Sequence, residues 1–108
     1  MLNQHTAITA TAQYFSGMQE VNVVFDFGEA MQLSPRPNYD RFIVKVNGSD
    51  TSEFSFQMTP ANHATLKADW LGPTPTTVTV QYIGTLGLLR YLNGDIINPF
   101  GPLACTLI

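Results

Sequence analysis

Alternation with a period of two residues runs through almost the whole chain. It is interrupted at intervals of roughly 8–12 residues by glycine, proline or asparagine, the spacing of short antiparallel strands. The clearest run is Phe42-Ile43-Val44-Lys45-Val46, closed by Asn47-Gly48. Phe42, Val44 and Val46 share one face, and Asn-Gly suits a type I′ turn, in which both central residues need positive φ. No stretch longer than one turn carries a helical period, so the chain reads as all-β.

The other runs follow the same rule. Residues 6–14 place Ile8, Ala10, Ala12 and Tyr14 on one face, and residues 20–27 do so with Val21, Val23, Phe25 and Phe27. Residues 28–31 read as a short helical turn. Residues 33–39 form a loop, because Pro35 and Pro37 bar helix and central strand. Residues 51–58 read as the return strand of the Asn47-Gly48 hairpin, with Phe54, Phe56 and Met58 on one face. Residues 64–70 and 77–83 alternate in turn, separated by the rigid LGPTPT connection. A small hairpin is expected around Asn93-Gly94, and Leu103, Cys105 and Leu107 alternate in a last strand. About seven strands and an N-terminal strand or arm result. The expected architecture is an antiparallel sandwich with Greek-key connections; a jelly roll or small barrel is the alternative, since strand spacing leaves topology open.

At 108 residues the chain has the length of one domain. It is 44% hydrophobic and only 12% charged. A surface so poor in charge offers little repulsion between protein molecules and favours association. The five basic residues, Arg36, Arg41, Lys45, Lys67 and Arg90, form no run, and net charge is −3. Nucleic-acid binding by counterion release and a basic membrane-surface helix are not expected. No apolar run is long enough for a membrane helix, and the first residues lack the pattern of an export signal. The expected origin is the cytoplasm, with the protein staying there or leaving inside an assembly.

The order of the motifs from Val21 onward resembles a known family. VNVVFDFGEAM, FIVKVNG, ATLKADW, TVTVQYIG and LLRYLNGDIINPFGPLA follow the order found in immunoglobulin-like repeats of large bacterial surface and motility proteins. The resemblance implies an immunoglobulin-like sandwich over residues 18–108, with a tail that wraps the sandwich edge before the closing strand. Residues 1–17 lie outside the pattern. They read either as an arm that adds a strand to a neighbour's sheet or as the first strand of this sandwich. The family's repeats occur in tandem in secreted chains. A stand-alone domain without export signals is similar instead to accessory proteins of tailed-phage virions. That likeness implies a capsid decoration or cement protein bound to coat subunits, with a tail or fibre component as the alternative.

No catalytic constellation is present. The two histidines, His5 and His63, and the lone Cys105 have no metal-ligand spacing, and Cys105 reads as a small core residue. Asp50 and Glu53 lack the spacing of a calcium loop. Gly84 and Gly87 lack the lysine of a phosphate loop. No enzyme activity, metal or cofactor is expected. Phe25, Phe42, Phe54, Phe56, Trp70 and Tyr82 read mostly as core. Tyr14, Phe15, Tyr39, Tyr91 and Phe100 fall at strand ends or in loops, where aromatic side chains anchor protein interfaces. With Ile8 from the N-terminal strip, they are the candidate partner-binding residues. The expected partner is protein, either coat or other virion subunits or a second copy; a host glycan is the alternative.

Overall fold

The computed structural model describes residues 7–34, 36–84 and 89–108. It is an all-β, sandwich-like fold of two sheets, 45 × 23 × 22 Å in extent. Nine strands are assigned among the described residues: β1 (Thr9–Phe15), β2 (Glu20–Asp26), β3 (Phe42–Val46), β4 (Ser49–Asp50), β5 (Ser52–Thr59), β6 (His63–Asp69), β7 (Val78–Tyr82), β8 (Phe100–Ala104) and β9 (Thr106–Leu107). One sheet has the order β5-β6-β2-β1-β9 and the other β4-β3-β7-β8. All pairings are antiparallel except β1 with β9, which is parallel.

The period-two pattern becomes the core directly. Val21, Val23 and Phe25 of β2 face Val44 and Val46 of β3 and Val78 and Val80 of β7 across the two sheets, all buried. Aromatic rings tie the sheets together at one end of the core. Phe42 stacks on Phe56 with centroids 4.6 Å apart, and Phe25 lies 5.5 Å from Phe42. Phe100 sets its ring edge against Phe25 at 6.2 Å. Such aromatic pairs contribute on the order of 0.5–1.5 kcal/mol each beyond the area they bury.

The Asn47-Gly48 turn has φ of 52° and 82°, as a type I′ turn requires. Asn47 does more than turn the chain. Its Oδ1 accepts hydrogen bonds from the Thr76 amide (2.7 Å), the Thr76 hydroxyl (2.9 Å) and the Thr77 amide (3.2 Å). The residue that makes the turn therefore also clamps the proline-rich connection into β7.

Several sequence expectations are corrected. The strand after the turn returns beside β3 for only Ser49 and Asp50, then crosses to the other sheet, where β5 pairs with β6. Side chains fix this crossover: Glu53 Oε2 accepts from the Val44 amide at 3.0 Å, and the Thr51 hydroxyl donates to the Val44 carbonyl at 2.9 Å. Those groups satisfy the edge of β3 where β4 stops. Phe54 is not core: the register shifts between Glu53 and Ser55, and the ring is 41% exposed. Residues 28–31 form no helical turn, because Gly28 takes φ 76° and Met31 bridges to Tyr91. The last strand is two strands. The Cys105 amide donates to Val78 in one sheet, and the Ile108 amide donates to Ala12 in the other.

The small hairpin is present, with the Tyr91 amide donating to Asp95 and the Ile97 amide to Leu89. It packs beside residues 30–32 and contributes Leu89, Tyr91 and Ile97 to the core. His5, Leu88 and Gly87 lie outside the described residues.

Candidate functional site: a groove beside β1

The N-terminal strip pairs within its own chain. β1 runs antiparallel to β2 over its whole length, with Thr9 opposite Asp26 and Phe15 opposite Glu20. On its other side β9 covers only Thr11 and Ala12. Among the described residues no strand flanks the outer edge from Gln13 to Phe15.

A groove of about 240 Å³ opens at this place. Ala12, Gln13 and Tyr14 of β1 form one wall, with Val21 and Val78 behind them. Thr74 and Pro75 of the clamped connection and Leu107 and Ile108 of the C-terminal segment form the rest. Two local causes make the hollow. Ala12 fills the core-facing position of β1 here with a methyl group, where β2 and β7 place Val21 and Val78. The C-terminal segment also crosses from β7 to β1 at Cys105, so neither sheet closes the flank fully. No lining side chain carries a charge. Leu107 and Ile108 are 41% and 72% exposed at the rim. The arrangement offers apolar area next to unpaired strand edge, the two components by which an extended segment adds to a sheet.

The six sequence candidates do not converge. Tyr14 alone lines the groove. Ile8 is half-buried against the core, and Phe15 is half-buried opposite Glu20. Tyr39 stands 42% exposed on the short 3-10 turn of Tyr39–Arg41. Tyr91 is corrected from a surface loop to the interior: it is 5% exposed, held there by the bridge to Met31. Phe100 is likewise half-buried, its ring against Phe25 and Tyr82. Burial raises the phenol pKa of Tyr91, with Glu29 adding to the effect. At Tyr82 burial also dominates, opposed by the Leu89 backbone and Arg41. The groove residues outside those six candidates are Ala12, Gln13, Val21, Thr74, Pro75, Val78, Leu107 and Ile108. The available signal was the adjacent apolar pair Leu107-Ile108, which breaks the alternation of the last strand.

The polar clusters serve structure. Asp26 Oδ1 accepts from the Gly28 amide and from Asn62 Nδ2, both at 2.8 Å, and its Oδ2 lies 3.7 Å from His63 Nε2. This fixes the exit from β2. No group of three or more His, Cys, Asp and Glu side chains converges among the described residues. A wider, shallow depression lies elsewhere, lined by Trp70, Leu71 and Gly72 with Asp50, Thr51, Ser52 and Asp69. The Trp70 indole N–H donates to the Pro73 carbonyl at 2.7 Å, which fixes the ring.

No protein-family model, curated protein or solved structure matches this chain.

Proposed function

We propose that the chain is an immunoglobulin-like sandwich with Greek-key connections, and that it acts as a non-enzymatic structural protein of a tailed-phage particle. In this reading it docks on a coat subunit as a decoration or cement protein. The strand order supports the immunoglobulin-like part. Lettered A, B, C, C′, D, E, F, G in chain order, with β8 and β9 sharing G, the sheets read D-E-B-A-G and C′-C-F-G, β9 supplying the G of the first and β8 that of the second. The particle role rests on the family resemblance and on the low-charge surface.

The observation that carries the docking role is the groove beside the open edge of β1, whose lining side chains are all uncharged. It fits an extended, apolar protein segment better than a charged ligand, because buried charge without a partner is costly. Repetition of such a contact on a lattice turns weak attachment into stable occupancy. Because β1 is an integral strand, deletion of residues 1–14 would remove part of the sandwich as well as any contact. A point change at the groove rim is the cleaner probe.

Sedimentation of a lysate from the native source tests the particle role. The chain should pellet with virions in many copies; a low copy number would move it to the tail. Recovery wholly in the soluble fraction would sink the reading. The depression at Trp70 favours one other class, a glycan-binding module, since an aromatic ring beside hydroxyls and carboxylates suits sugars. A glycan titration that Trp70→Ala and Tyr39→Ala leave unchanged would discard it.

A further inference from the structure

The chain contains two Asn-Gly sequences, and they sit in opposite situations. Asn47 is bound through both ends of its amide: Oδ1 accepts from Thr76 and Thr77, and Nδ2 reaches the Thr74 carbonyl at 3.4 Å. Asn93 has only local partners. Its Oδ1 accepts from the Asp95 amide at 2.9 Å, and its Nδ2 lies 3.3 Å from Asp95 Oδ2. Both asparagines are exposed and both precede a glycine with open space around it, so the bonds of the amide are what separate them.

We infer that Asn93 is a site of spontaneous backbone-assisted deamidation and that the fold protects Asn47 from the same reaction. The Gly94 backbone nitrogen loses its proton to water or hydroxide and attacks Asn93 Cγ. The Cγ–Nδ2 bond breaks, ammonia leaves, and a five-membered succinimide forms. Water then opens the ring at either carbonyl to give aspartate or isoaspartate, so the step needs no oxidant or reductant. The turn prepares this chemistry. The Oδ1 contact with Asp95 N–H keeps the side chain within its own turn, beside the Gly94 peptide. The Gly94 amide donates to the carbonyl of the buried Tyr91 at 2.9 Å, and this one turn bond must open before the nitrogen can attack. Asn47, by contrast, must give up contacts to a connection almost thirty residues away before its Cγ can turn to Gly48.

Conversion makes the net charge one unit more negative than −3. It places that charge beside Leu92 and Glu29 at the hairpin end of the molecule. Peptide mapping by mass spectrometry, after incubation of the folded full chain at mildly alkaline pH, reads both sites. Asn93 should convert more than about tenfold faster than Asn47, the ratio expected from the bonds Asn47 must break. In denaturant the two rates should approach each other. Equal rates in the folded chain, or faster loss at Asn47, would overturn the inference. So would a ratio that persists in denaturant, because local sequence and not the fold would then be choosing the site.

Discussion

The two ends of the interior are built from different side chains. At one end Phe25, Phe42, Phe56, Tyr82 and Phe100 interlock across the sheets, with ring centroids 4.6 to 6.5 Å apart. At the β1 flank, Ala12 stands in an equivalent core-facing position, and a groove remains. The same alternation of residues generates both regions. Side-chain volume decides which of them closes. The closed end supplies stability, and the open flank is available for a partner.

The largest effect should come from opening the closed end. Phe42→Ala removes a ring in contact with Phe25, Phe56 and Tyr82 and should destabilise by about 3–5 kcal/mol. Urea unfolding measures it; a loss under about 1 kcal/mol would mean that the aromatic cluster is not the mechanical centre of the fold. Asn47→Ala should cost roughly 1–3 kcal/mol, because the Thr76 and Thr77 donors lose their acceptor and the wall at Thr74 and Pro75 loosens. Hydrogen exchange should rise over residues 74–77 and not at the aromatic end. Uniform exchange change would erase the distinction between the regions.

Cys105 sharpens the comparison through pH. Burial pushes its thiol up to about 11 from an ordinary 9.0. The folded state holds this proton more tightly than the unfolded chain. The contribution to stability is therefore complete below pH 9.0 and is lost as pH rises toward 11. Other groups titrate in that range, so the difference between the native chain and Cys105→Ser is the quantity to follow; it should shrink with rising pH. The same protonation predicts slow alkylation at neutral pH. The smallest stability effect belongs to Ile108→Asp. This side chain is 72% exposed, so unfolding should change by no more than about 0.5 kcal/mol.

Much of this arrangement was legible in the residues. Alternation located the strands, and Asn47-Gly48 announced its turn. Alternation carries no information on which sheet a strand joins. The crossover after Asp50 depends on Glu53 reaching the Val44 amide, a contact between residues whose local patterns are ordinary. The exposure of Phe54 follows from a register shift that apolar periodicity cannot register. Tyr91 looked like a loop aromatic because the bridge to Met31 joins residues sixty positions apart. The groove was least legible of all. It is made by small residues and by where strands stop, whereas sequence reading favours large aromatic side chains as anchors.

The docking role of the groove is tested most directly by comparing native and Ile108→Asp protein for co-sedimentation with purified particles. The substitution sets a charged side chain on a rim whose side chains carry none, without entering the core. The account predicts that occupancy falls sharply while the melting temperature stays unchanged. Undiminished occupancy by the folded variant would contradict it.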